Sequence, residues 1–153
     1  CPASAFGGVE LMAPGFAAID ASQPCPCGGG LYKNCCAPFH QGQRKPETAV
    51  ALMRSRYSAF ALAELKYLID THPQPQFSDC ERRRQLRSSC GSTEWRGLTI
   101  LNTIAGGVED LDGTVSFEAR HRTGVLRETS LFQRRDGLRS GDWLYISALD
   151  LEA

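Results

Sequence analysis

Four cysteines fall within twelve residues: Cys25-Pro26-Cys27, then Cys35-Cys36, separated by Gly28-Gly29-Gly30-Leu31-Tyr32-Lys33-Asn34. No other feature restricts the fold so tightly. A tetrahedral zinc ion needs four soft ligands close together, and this segment supplies four thiolates. Zn–S bonds are about 2.3 Å, so two thiolates on one ion sit roughly 3.7 Å apart. One intervening residue lets Cys25 and Cys27 turn to the same metal, and Pro26 stiffens that half-site by fixing its own φ. The glycines allow the loop to curl and aim N–H groups at sulfur. Four thiolates on a divalent ion leave excess negative charge, which those N–H groups and Lys33 can offset.

Other uses of the cysteines fit less well. A disulfide between the neighbours Cys35 and Cys36 would be strained. Cys80 and Cys90 lie in a segment that reads helical, where ten residues span about 15 Å, so they should not bridge. The total of seven is odd, which argues against a fully paired secreted framework. His40 is an alternative ligand to Cys35 or Cys36. Four thiolates also suit iron, so spacing alone does not choose the metal. Either way the cluster favours a reducing compartment, and the cytoplasm is expected.

The order Cys25-Pro26-Cys27-Gly28, glycine-rich loop, Tyr32, Cys35-Cys36 resembles the SEC-C zinc motif. That motif ends the preprotein translocase motor SecA and recurs in small bacterial proteins. Further along, Leu52-Met53-Arg54-Ser55-Arg56-Tyr57-Ser58-Ala59-Phe60 resembles the segment that follows the motif in the YchJ-type family. Thr93-Glu94-Trp95-Arg96-Gly97-Leu98 and Glu128-Thr129-Ser130-Leu131-Phe132 are similar to later blocks of that family. The resemblance implies a nuclear-transport-factor-2-like domain behind the zinc motif. On this reading residues 1–22 are a flexible tail, 23–42 the zinc motif and 46–150 the larger domain.

The rest of the chain can be read on its own terms. A length of 153 residues predicts one domain with a real core. Net charge is zero, so no global field draws in nucleic acid or an anionic membrane. No apolar run approaches the roughly 20 residues of a membrane span. Pro46-Glu47-Thr48 reads as a helix start. Val50, Met53, Tyr57, Phe60, Ala61, Leu65 and Leu68 then share one face of a helix, or of two consecutive ones, ended by Pro73 and Pro75. Arg54 and Glu64 fall in the same arc, and a buried charge needs a partner. Asp79 to Ser89 reads as a short charged helix. Its Arg82-Arg83-Arg84 and Arg87 form either a solvated face or a nucleic-acid patch.

From Trp95 onward the period changes to that of strands: Trp95–Ile104, Gly113–His121, Val125–Arg134 and Trp143–Leu149. Arg122-Thr123-Gly124, Asp136-Gly137 and Ser140-Gly141-Asp142 supply turns. Short connections predict an antiparallel sheet, and helices before strands predict α+β, with helices covering one face of a curved sheet. The expected architecture is a small zinc knuckle followed by a cone, which is a natural pocket. Within it Arg54, Tyr57, Glu128, Arg120 and Tyr145 are the candidate polar residues. They serve acid–base chemistry, ligand binding or a buried ion pair that fixes the fold.

No motif supplies a nucleophile with its base, and no glycine loop precedes a helix as a phosphate cradle. Four cysteine ligands would leave zinc no open position for an activated water. The first expectation is therefore a non-enzymatic zinc protein that presents its knuckle to a protein or ribonucleoprotein partner. The second is a small-molecule binder or enzyme using the cone. The third, an RNA- or ribosome-associated protein, needs a basic surface running from Arg82–Arg87 to the knuckle.

Overall fold

The structure is a computed structural model that describes residues 20 and 22–152. Nearly all of the segment expected to form a tail lies outside the described residues.

Thr48 opens the first long helix by accepting a hydrogen bond from the Ala51 N–H at 3.1 Å. This helix, α2 (Ala49–Leu62), follows a single turn, α1 (Ala37–His40), that belongs to the cysteine segment. It stops at Ala63, which adopts left-handed φ 57°. A short α3 (Leu65–Asp70) resumes at once, so the expected helical stretch is two helices. Glu64 stands at their junction rather than in the core. A capping box then starts α4 (Asp79–Ser92): Ser78 and Glu81 exchange side-chain-to-backbone hydrogen bonds of 3.2 Å each. Cys90 is a free, buried thiol on that helix, so it forms no bridge with Cys80.

Four strands follow: β1 (Trp95–Ala105), β2 (Asp112–His121), β3 (Gly124–Arg134) and β4 (Trp143–Glu152). They pair in sequence order, all antiparallel. Alternation places Val115, Phe117 and Ala119 of β2 inward, with Ser130 and Phe132 of β3. Register shifts between Ile100 and Asn102, and between Thr129 and Ser130, bend the sheet.

The helices cover the concave face, as expected for α+β. Helix α2 is pinned at its start by Ala49 N–H to the Gly106 carbonyl (2.9 Å) and by Trp143 Nε1–H to the Glu47 carbonyl (3.0 Å). Leu52, Tyr57, Phe132 and Trp143 share one buried cluster with Cys25, Cys27 and Cys36. The cysteine segment is thus part of the main core. None of the described helices is long and apolar enough to cross a membrane.

Candidate metal centre and cone

The cysteine segment closes on itself through a small backbone ladder. Cys25 N–H donates to the Gly30 carbonyl (2.7 Å), and Tyr32 N–H to the Gln23 carbonyl (2.9 Å). Gly28 and Gly30 take φ of 82° and 113°, the left-handed region that favours glycine. Gly29 runs directly against sulfur: a Cβ there would lie 2.7 Å from Cys35 Sγ. The result gathers the Sγ atoms of Cys25, Cys27, Cys35 and Cys36 within 4.8 Å of one another. Cys27 to Cys35 is 3.4 Å, Cys27 to Cys36 3.7 Å and Cys35 to Cys36 3.9 Å. These bracket the roughly 3.7 Å expected around a tetrahedral ion. The four cysteines form a group that can hold a metal.

Electrostatics agree. Hydrogen bonds from Cys25 and then Cys36 hold the Cys27 thiol far below its ordinary value. Cys35 is pushed up to about 12 by burial and by Cys27. Cys36 is pushed up by its bonds to Cys25 and Cys27. Burial and the neighbouring sulfurs thus oppose charge on Cys35 and Cys36, and gathering anionic sulfurs this closely takes a cation. His40 is not among the ligands. Its Nε2–H donates to the Ser55 carbonyl (2.9 Å) while Nδ1 accepts from the Tyr32 hydroxyl (2.7 Å), as the network assigns the tautomer.

One face of α2 is the platform for this knuckle. Cys25 Sγ meets Ser58 Oγ at 3.3 Å, and Cys36 Sγ lies 3.8 Å from the Arg54 carbonyl oxygen. Arg54 Nη1 donates to the Cys27 carbonyl at 3.0 Å. Arg54 is expected among the cone residues, but it turns the other way and ties the helix to the cysteine loop. Lys33, expected to offset thiolate charge, is exposed.

The opposite side of α2 faces a cavity of about 320 Å³ between helices and sheet. Of the expected residues, Tyr57, Glu128 and Tyr145 line it. Arg120 does not. Strand alternation puts it on the exposed outer face with Glu118, and its Nη1 donates to Thr99 Oγ1 at 2.9 Å. The cations in the cone are Arg56 and Arg82, both buried. Arg56 Nη1 donates to the Leu68 carbonyl (3.0 Å) and to Thr71 Oγ1 (2.6 Å), and its guanidinium lies 4.9 Å from the Tyr145 ring centre. Arg82 donates to the Ile69 and His72 carbonyls, while its Nε–H is buried without a partner. Both arginines thus cap the C-terminal end of α3. Glu128 accepts from the hydroxyls of Ser130 and Tyr145, the latter at 3.3 Å, and makes no ion pair among the described residues. Burial and then Glu128 push Tyr145 up to about 12. Burial, with Arg56 and Arg82 nearby, drives His72 down to about 4.

Residues 48–148 match the family described as "YchJ, middle NTF2-like domain". This chain belongs to the YchJ family. A UPF0225 protein of Streptomyces coelicolor is 41% identical over 124 residues, covering 80% of this chain and 91% of its own. Another from Ralstonia nicotianae is 42% identical over 131 residues, covering 80% and 88%. Among solved structures, a SEC-C motif containing protein from Psychrobacter arcticus superimposes with a TM-score of 0.66 at 25% identity, covering 83% of this chain and 82% of that one. A second SEC-C motif containing protein, from Rhodopseudomonas palustris, gives 0.65 at 28% identity, covering 85% and 100%. The nuclear-transport-factor-2-like fold and the cysteine motif expected from the sequence are therefore both features of the YchJ chain.

Sequence reasoning missed Arg56, His72 and Arg82. Arg82 was grouped with Arg83, Arg84 and Arg87 as one basic face. In the YchJ fold it points inward and is buried, so the patch from Arg82 to Arg87 is not a continuous basic surface. The capping box at Ser78 was the available signal. It fixes the start of α4 and hence which of the arginines turns toward α3.

Proposed function

We propose that the protein is a zinc-binding interaction module of the bacterial cytoplasm, with a structural site made by Cys25, Cys27, Cys35 and Cys36. The observation that carries this reading is the mutual approach of four sulfurs within 4.8 Å, three of the cysteines being buried. Zinc is preferred because a closed four-sulfur tetrahedron suits it and asks for no redox chemistry. Four sulfurs leave no coordination position for substrate, so the metal holds the loop rather than reacting. The loop leaves Gly28 to Leu31, Lys33 and Asn34 exposed, a rigid rim for a protein or ribonucleoprotein partner. Zinc-edge X-ray absorption tests the site: four sulfur neighbours at about 2.3 Å are expected. An oxygen or nitrogen neighbour would contradict a closed structural centre. For the rim, a photo-crosslinker at Leu31 should give discrete adducts in cells that vanish in Cys36→Ala. Adducts unchanged by that substitution would remove the metal loop from the interface.

A second reading concerns the cone. Glu128 makes no ion pair and two buried arginines line the same cavity, which supports a small-molecule site better than a fold-fixing salt bridge.

A further inference from the structure

The charges around the cone do not balance. Glu128 accepts the hydroxyls of Ser130 and Tyr145 on one oxygen, Oε2, and makes no ion pair among the described residues. Neither arginine has a carboxylate in direct contact: no ion pair among the described residues includes Arg56 or Arg82, and Glu128 acts on Arg56 only at a distance. Helix capping accounts for the Arg56 Nη1 group, which serves Leu68 and Thr71. It does not account for the other edge. No hydrogen bond among the described residues takes Arg56 Nε or Nη2. That edge carries two parallel N–H donors, the fork that matches the two oxygens of a carboxylate.

Its surroundings define the rest of the ligand. Met53, Phe60, Leu86, Trp95, Phe117 and Leu126 supply an apolar lining. At about 30 Å³ for a water-sized group, the cavity takes roughly ten non-hydrogen atoms. We infer that the cone binds a small amphipathic carboxylate, its head on the Nε/Nη2 edge of Arg56 beside Arg82 and its apolar body against Trp95 and Phe117. This rests on the reading of the cone as a small-molecule site and names the ligand class. A carboxylate fits better than a phosphate ester, because one free fork in a mostly apolar chamber offers too few donors for a dianion. Burial draws the Arg56 guanidinium down to about 10 even though Tyr145, Tyr67 and the more distant Glu128 oppose the shift, and an anion in contact with it would relieve that cost.

The test uses the intact chain and two matched pairs: octanoate with octanamide, and hydrocinnamate with hydrocinnamamide. Binding is read from the Trp95 indole N–H signal in NMR titrations and from calorimetry. Each acid should bind at least about tenfold tighter than its amide, as expected for a hydrogen-bonded buried charge. In Arg56→Met the two should bind alike, and Arg56→Lys should recover only part of the preference, since an ammonium lacks the fork. Equal binding of acid and amide by the wild type would overturn the carboxylate inference while leaving the cone a ligand site. An acid preference that persists in folded Arg56→Met would overturn the role of that fork. No shift of Trp95 with any of the four would overturn both the inference and the reading beneath it. Because the wild-type comparison decides the main point, a misfolded variant does not rescue the proposal.

Discussion

Arg54 and Arg56 stand two positions apart on α2 and serve opposite sides of it. Arg54 holds the Cys27 carbonyl of the metal loop, while Arg56 reaches across the cone to the end of α3. Replacing Arg54 with Met should leave that loop carbonyl without its charged donor, a loss of about 1.5–3 kcal/mol. Metal should then pass to a chelator faster than from the wild type; an unchanged rate would mean that the contact does not secure the loop. On the other side, His72 is neutral in the fold because its pKa lies at about 4 against an ordinary 6.5. The folded state therefore binds fewer protons than the unfolded chain between those values. The stability this contributes is complete above pH 6.5 and is lost as pH falls through about 4. His72→Gln should remove a slope of up to about 1.4 kcal/mol per pH unit in that window, measured as the difference between the two unfolding profiles. Parallel profiles would contradict the assignment.

These residues also mark where sequence reading stops. The cysteine cluster was legible because spacing alone restricts it, and inward Glu128 because it alternates with Ser130 and Phe132. Arg120 was misplaced although the same period-two rule, applied from Phe117 and Ala119, puts it outside. Arg54 and Arg56 could not be sorted by a single apolar arc. Helix α2 is covered on two sides, by the metal loop and by the sheet, so position on the wheel does not say which cover a side chain meets.

At the scale of elements, the four strands lie close to the boundaries that turn residues and alternation suggested. What alternation does not carry is the local irregularity. Nothing in the residues near Ala63 announces that α2 breaks there, because alanine is a good helix former and its left-handed φ is imposed by packing. The turn α1 was also unforeseen, being too short for any periodicity. The join between β1 and β2 depends on two glycines in contact. A Cβ on Gly113 would sit 2.4 Å from the Gly106 backbone, where no flexible side chain can yield. Gly113→Ala should therefore destabilise the fold by about 1–3 kcal/mol, the usual cost of overpacking. A denaturant midpoint within error of the wild type would show that the hairpin end opens freely.

The whole molecule reads as one cooperative unit rather than a knuckle beside a domain. Cys25, Cys27 and Cys36 share a buried cluster with Leu52, Phe132 and Trp143, so the metal loop and the sheet support each other through α2. Chelation should consequently lower the thermal midpoint of the entire chain in a single transition seen alike by Trp fluorescence and backbone circular dichroism. A sheet that melts at an unchanged temperature after metal removal would make the knuckle an independent appendage. Most direct for the account as a whole is the metal content of protein purified without added metal, beside Cys27→Ala and Cys36→Ala. It predicts about one zinc per chain in the wild type and none in either variant, because three thiolates do not close the tetrahedron. Wild-type protein free of metal, with all four thiols titratable, would contradict it.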